Sequence, residues 1–392
     1  MAMSDDRGFD PRIWLLAIGT FAIGTEGFVI AGILPALAAD LHVGIDATGL
    51  LVSVYALVYG LGTPFLAVLV SRLPRHRVAL ISLGVFAFVN LLCALAPTYG
   101  VLLALRAVAG ICAALYAPTA YAIASSLARP ERRGGALAAV ALGSSGSTVI
   151  GVPLGAFIGD HFGWRATFVF VAVITAAGLT AMVWRKLPVA TDSHAPRQTL
   201  VERFAPLARA KIWIVLLPAL LLYCAIYLVY TYIAPLLETR YALDTVPAFL
   251  VVYGLGGLAG SQLGGRLVDI YGATRPLLAA LSLFTLLEVA LPFSLSAIWA
   301  TCATLAGLTL CSWACFAPIQ TRAVAAEPAN ANVIFALINS SVFLGGAVGA
   351  AVGGILLDLI PVTGLPLVAA LLTGAAVAII AMSLPRELPR RA

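Results

Sequence analysis

The chain has 392 residues, 62% of them hydrophobic and only 10% charged, with a formal net charge of +6. No soluble domain of this length could withdraw so much apolar surface from water, so the composition excludes a soluble enzyme or binding domain and leaves an integral membrane protein. The basic excess is a topology signal, with no nucleic-acid reading in it, because the arginines cluster between apolar runs.

In chain order the apolar runs cover residues 13–37, 48–70, 77–97, 99–127, 134–159, 164–184, 211–237, 245–268, 274–294, 296–321, 332–357 and 363–384. Each approaches or exceeds the ~20 residues that carry an α-helix across the hydrocarbon, whereas a β-barrel would show short alternating segments. Between the sixth and seventh runs lies the longest polar stretch, 185–210, with the Pro, Ser and charge of a solvated linker. The sequence therefore predicts an all-α membrane protein with twelve transmembrane helices in two six-helix halves, 1–184 and 211–392. The first run is too long for a cleavable signal, lacks a small-residue cleavage site and follows an acidic start at Ser4, so the first helix is expected to stay in the protein.

Orientation follows from the basic residues, which cytoplasmic loops retain. With residue 1 inside, 20 of the 23 lysines and arginines fall on the cytoplasmic side, and the exceptions are Arg106, Arg165 and Arg240. Both termini are expected in the cytoplasm of a bacterial-type inner membrane. Cys93, Cys112, Cys224, Cys302, Cys311 and Cys315 all lie in apolar runs, where they read as small hydrophobes. The four histidines sit at loops and helix ends, so no metal set is expected.

The first run, Phe21 to Pro35, holds one carboxylate, Glu26, near its middle. An ionisable group at that depth is costly unless it faces protein or water, so Glu26 reads either as a proton or substrate site or as a structural, hydrogen-bonded acid. Arg106, in the fourth run, is the cation at a comparable height, and it reads either as a partner of Glu26 or as a tie to backbone carbonyls. Glu288, in the ninth run, is a second intramembrane acid.

The halves also echo each other. The fifth run ends Gly155-Ala-Phe-Ile-Gly-Asp160 and the eleventh ends Gly353-Gly-Ile-Leu-Leu-Asp358; Arg72 to Arg77 after the second run matches Gly265 to Arg275 after the eighth. Repeated halves around a midplane site are a secondary-transporter architecture. On Gly24-Thr-Glu-Gly-Phe-Val-Ile-Ala-Gly-Ile-Leu-Pro35, Arg106-Ala-Val-Ala-Gly110, Gly151-Val-Pro-Leu-Gly155-Ala-Phe-Ile-Gly159, Gly163-Trp-Arg165 and Ala317-Pro-Ile-Gln-Thr-Arg322, the chain resembles the major facilitator superfamily. Within it, the chain is similar to the drug and sugar efflux branch of proton antiporters, which includes arabinose, purine-nucleoside and chloramphenicol exporters. The resemblance runs from about residue 13 to residue 384 and names no substrate.

The resemblance implies a proton-coupled exporter of small neutral or amphipathic molecules working by alternating access. An importer or facilitator of the same fold is the alternative, and a membrane receptor or enzyme fits less well. It implies no cofactor beyond the proton gradient, a small-molecule substrate and protons as partners, a lipid surround, and a monomer. Helices one and four line the central cavity in that fold, so Glu26 and Arg106 are expected to face one cavity. There the nearby cation favours the carboxylate and burial favours the neutral acid, opposing pulls that let a group take and lose a proton. Helix nine is peripheral in the fold, so packing or an interface suits Glu288 better than coupling.

Conformational gating is implied for Arg72, Arg75, Arg77 and Asp269, although Ser71 stands where the family's loop motif carries an acid, and the arginines alone would also serve topology. The antiporter motif of the fifth helix falls on Gly151, Pro153 and Gly155, where little bulk allows close helix approach and bending; ordinary small-residue packing accounts for the same pattern. Tyr223, Tyr227 and Tyr230 share a helix face at i, i+4 and i+7, as do Tyr55 and Tyr59. With Tyr116, Gln320 and Asn339 they are the candidate substrate-binding residues of a weakly charged cavity, unless some are interfacial or core tyrosines.

Overall fold

The computed structural model describes residues 10–70, 73–129, 132–187, 208–327 and 331–383. Among them no strand occurs, and twelve helical spans are long and apolar enough to cross a membrane. Only helices and closed barrels satisfy every backbone polar group without water, and the long apolar runs here take the first route. Side chains such as Phe88, Leu286 and Leu371 point outward on these helices, an apolar rim that suits lipid.

We number the spans α1 (Pro11–Leu41), α2 (Ile45–Leu69), α3 (Arg75–Ala94), α4 (Tyr99–Leu127), α5 (Arg133–Gly146, continued by Val152–Phe162), α6 (Trp164–Trp184), α7 (Ala210–Tyr230), α8 (Val246–Tyr271), α9 (Thr274–Ser294), α10 (Ile298–Ala314, continued by Phe316–Ala326), α11 (Ala331–Leu357) and α12 (Leu365–Ser383). A short helix, Ile233–Glu238, follows α7. Most of the expected linker, the start of the expected gating loop with Arg72, and the terminal arginines lie outside the described residues.

Three spans expected to be continuous are interrupted. The two parts of α5 are joined by a π-helical turn, Ser147–Gly151. The seventh stops at Tyr230 and restarts at Ile233, and the tenth breaks at Cys315. A proline follows each break within about four residues: Pro153, Pro235 and Pro318. Proline cannot donate to the carbonyl four residues back and its ring crowds that carbonyl, so the ladder yields there.

Packing repeats between the two sets of six. In the first, α1 packs on α5 and α6, α2 on α4, and α3 on α4 and α6; in the second, α7 packs on α11 and α12, α8 on α10, and α9 on α10 and α12. The halves meet mainly along α2 with α11 and α5 with α8. At the end where α1 finishes, a Cβ on Gly354 would stand 3.0 Å from the Asp46 carbonyl oxygen, and the Tyr232 hydroxyl sits against Gly49. Nearer mid-depth, Tyr59 stacks on Phe343 with ring centroids 3.7 Å apart. Aromatic rings and missing Cβ atoms thus let the halves close tightly.

The Gly163-Trp-Arg165 signature forms the corner between α5 and α6. Gly163 is the single residue between them and takes φ 84, a left-handed conformation that side chains disfavour. Trp164 Nε1 donates to Asp40 Oδ2 at 3.0 Å, and Arg165 forms an ion pair with the same carboxylate, so the corner is latched to the last turn of α1.

Candidate functional site

Glu26 and Arg106 are both fully buried, and an Arg106 guanidinium nitrogen is hydrogen-bonded to Glu26 Oε1. Arg106 Nε also donates to the Leu51 carbonyl at 3.1 Å, and the guanidinium lies over the Tyr55 ring, 4.3 Å from its centroid. The expected meeting of the two charges is therefore present, in a different setting from the one expected. The pair is enclosed where α1, α2 and α4 pack, and neither residue lines the central cavity. Arg106 has the reach to span this gap because its planar fork serves a carboxylate, a carbonyl and an aromatic face at once. One oxygen of Glu26, Oε2, and one nitrogen of Arg106, Nη2, are buried without a partner among the described residues.

The central cavity lies between the halves at mid-depth. Its volume is about 730 Å³, part of it open to solvent, and its thirteen lining residues are Phe28, Thr148 and Val152 from the first half with Tyr223, Ile226, Tyr227, Tyr230, Leu250, Tyr253, Ser312, Trp313, Phe316 and Val342 from the second. None of these thirteen carries a formal charge. Aromatic faces, tyrosine hydroxyls and the Trp313 indole make a wall suited to a small, weakly charged, partly apolar molecule.

Short contacts run from the helices of the ion pair toward this cavity and toward the interface between the halves. Tyr230 donates its hydroxyl to the Phe28 carbonyl at 3.1 Å, a hydrogen bond from the second half to the helix that carries Glu26, two residues on. Phe28 also meets the Tyr227 and Tyr230 rings, at 5.8 and 5.7 Å between centroids. On the other side, Tyr55 meets Tyr59 edge to face at 6.0 Å, and Tyr59 reaches Phe343 of the second half.

Of the substrate-binding candidates, Tyr223, Tyr227 and Tyr230 line the cavity. Tyr55 and Tyr59 instead link the ion pair to the interface between halves. Tyr116 lies elsewhere: its hydroxyl donates to the Leu16 carbonyl at 3.0 Å beside the Met182 sulfur, in the gap left by Gly19, so it pins α4 to α1 and α6. Gln320 and Asn339 sit on α10 and α11, outside the lining residues.

The gating candidates divide as well. Gly155 faces Val29 of α1 at a distance that leaves no room for a side chain, and Gly151 meets Thr25, so this stripe packs α5 onto α1 within one half. The adjoining π-turn is where the second half comes close: a Cβ on Gly254 of α8 would lie 2.5 Å from the Thr148 carbonyl oxygen and 2.7 Å from Val149 Cα. Pro153 sits just past this turn. Asp269 is exposed near the end of α8, and among the ion pairs of the described residues none joins it to Arg75 or Arg77. The site residues that sequence reasoning missed, Phe28, Tyr253, Trp313, Phe316 and Phe343, carry only the ordinary aromatic signal of a membrane helix. Tyr253, the residue immediately before Gly254, had a polar hydroxyl that could have singled it out.

Twelve spans in repeated halves with a cavity between them are the architecture of a membrane transporter. A family model described as Major Facilitator Superfamily matches residues 16–330, and the chain belongs to that family. It is 29% identical over 376 residues to the inner membrane transport protein YdhP of Escherichia coli O157:H7, with 95% of each chain covered. It is 31% identical to a chloramphenicol resistance protein of Streptomyces lividans over 66% of each chain, and 30% identical to a probable sugar efflux transporter of Mannheimia succiniciproducens over 71% of this chain and 70% of that one. Among solved structures, the chain superposes on a bacterial homologue of the human lysosomal transporter Spinster with a TM-score of 0.68 at 16% identity, covering 96% of each chain, which shows the shared fold.

Proposed function

We propose that this protein is a proton-coupled exporter of small neutral or amphipathic molecules such as drugs, sugars or nucleosides, working by alternating access. In this reading it is a monomer in a bacterial-type cytoplasmic membrane with both termini in the cytoplasm, and it uses the proton gradient with no other cofactor. The observation that carries the reading is the enclosed Glu26–Arg106 pair two residues from Phe28, whose carbonyl receives the second half's Tyr230 at the cavity wall. Similarity to a sugar efflux transporter and a chloramphenicol resistance protein supports the outward direction.

A proton arriving on Glu26 turns its carboxylate into a neutral acid and removes the charge attraction that holds Arg106 to it. Arg106 keeps the Leu51 carbonyl and the Tyr55 ring, so the strain falls on α1. A shift of α1 moves Phe28, and with it the hydrogen bond and ring contacts that shape the substrate-facing wall. Proton entry and substrate occupancy then compete through one helix, although the two ligands sit in different places. The intact gating reading of Arg72, Arg75, Arg77 and Asp269 belongs to a different state of the cycle, in which α2 and α8 approach each other at the terminal end.

The deciding measurement is proton release from purified, detergent-solubilised protein on addition of phenicols, purines, pentoses or cationic dyes, with Glu26→Gln in parallel. Release by one class in the wild type and none in the variant is the expected result. Binding of that class with no proton release from the wild type would make the protein a facilitator.

A further inference from the structure

A second carboxylate lies in the other half, on the far side of the tyrosine wall. Glu288 of α9 is fully buried, and its Oε2 accepts from the Thr373 hydroxyl of α12 at 2.6 Å. Thr373 Oγ1 in turn accepts from Thr285 Oγ1 at 2.9 Å. The other carboxylate oxygen, Oε1, is buried with no partner among the described residues. Glu288 borders a small cavity with Ile226, Tyr230, Tyr253 and Phe284, and Ile226, Tyr230 and Tyr253 form its common wall with the central cavity.

The hydroxyls beside Glu288 can serve both of its charge states. When the group is a carboxylate, Thr373 donates to Oε2. When a proton sits on Oε2, the acid donates to Thr373 Oγ1, and Thr373 turns its own hydrogen to the Ala369 carbonyl, 3.2 Å away, while Thr285 still donates to it. No backbone rearrangement is needed, and no polar atom that was satisfied loses its partner. A purely structural acid would need only one of these arrangements. The titratable groups facing Glu288 are Tyr230 from α7 and Tyr253 from α8; α10 presents Leu305 and Leu308, α12 presents Thr373, and α9 itself adds Phe284 and Thr285. No lining residue is a cation that would hold the group permanently as a carboxylate.

We infer that Glu288 is a second proton-binding site, in which the proton exchanges with the central cavity across the wall of Tyr230 and Tyr253. That wall moves with the cycle, because Tyr230 is the residue hydrogen-bonded to the first half through Phe28. Each half then holds one carboxylate, Glu26 and Glu288, and Tyr230 stands between them. The inference rests on the proton-coupled reading above and extends it to the second half.

Infrared difference spectroscopy tests it with the proton itself as ligand, in purified full-length protein titrated from about pH 5 to about pH 10. Glu26→Gln is the reference background, so that Glu26 contributes nothing to the carboxylic-acid C=O band. The expected result is a band that disappears as pH rises in Glu26→Gln, is missing at every pH in Glu26→Gln/Glu288→Gln, and shifts in frequency and midpoint in Glu26→Gln/Thr373→Val. A band that Glu288→Gln removes but pH does not change would mean a permanently protonated structural acid and overturn the inference, as would no Glu288-dependent band at all. The threonine variant keeps the test available should Glu288→Gln fail to fold. The substrate-driven release assay reads every coupled proton together, whereas this titration reads the Glu288 carboxyl with no substrate present, so the failure of either one is told apart from the failure of the other.

Discussion

Arg106 shows what one side chain does for this molecule. Its guanidinium joins α4 to Glu26 of α1 and to the Leu51 carbonyl of α2 and lies over the Tyr55 ring, so three helices meet on one cation. Removing one partner of a buried pair leaves the other charge uncompensated, at a typical cost of about 3–5 kcal/mol. Arg106→Ala should therefore lower the thermal midpoint of the detergent-solubilised protein far more than Glu26→Gln/Arg106→Met, which removes both charges together. Equal losses in the single and double variants would show that the pair contributes nothing through charge. Sequence reasoning reached both residues because two ionisable groups at matching depth are rare in apolar helices. It could not reach the enclosure of the pair, which depends on Leu51, a residue with no distinguishing signal of its own, and on Tyr55, whose helix-face spacing pointed to the substrate instead.

Among the elements, the helices were legible and their interruptions were not. Span limits read from hydropathy agree with the structure to within a few residues at most ends, because the hydrocarbon thickness dictates the length. The breaks in α5, after α7 and in α10 each precede a proline, yet Pro35, Pro64, Pro118, Pro218 and Pro292 lie within unbroken helices. Proline permits a break, and the neighbouring packing decides it. At the terminal end, Glu327 after α10 holds Arg209 at 2.5 Å and Lys211 at 2.8 Å, tying the start of α7 to the end of α10. These hydrogen bonds, Arg209 first and then Lys211, push the Glu327 carboxyl down from 4.5 to about 2. A depressed carboxyl stabilises the fold fully above its unfolded value and progressively less as pH falls toward its folded value. The thermal midpoints of wild type and Glu327→Gln should thus differ by a constant amount above about pH 4.5 and converge below it. A gap that stays the same down to pH 3 would mean that the ion pairs do not support the fold.

At the scale of the whole molecule, the six-plus-six arrangement was readable from run count and the echoes between halves. The shape of the cavity was not, because it needs the relative placement of α1, α5, α7, α8 and α10. That placement puts the tight seal between halves where α1 ends, beside Asp46 and Gly354. If the halves rock about the central site, a bridge there must stop transport. With Asp46→Cys and Gly354→Cys, oxidation should arrest uptake or efflux of the substrate class found above, and reduction should restore it. Undiminished transport by the cross-linked protein would exclude opening at that end.

Ten of the thirteen cavity residues belong to the second half, whereas the Glu26–Arg106 pair belongs wholly to the first. In the proposed mechanism, cargo choice and the Glu26 proton site are then heritable separately, while Glu288 travels with the cargo-binding half. Recombination that exchanged the second six helices between two relatives would deliver a new specificity to an engine already working, provided the α2–α11 and α5–α8 seams still matched. An evolutionary record of mismatched halves, close to one relative in the first and to another in the second, is the trace such shuffling would leave.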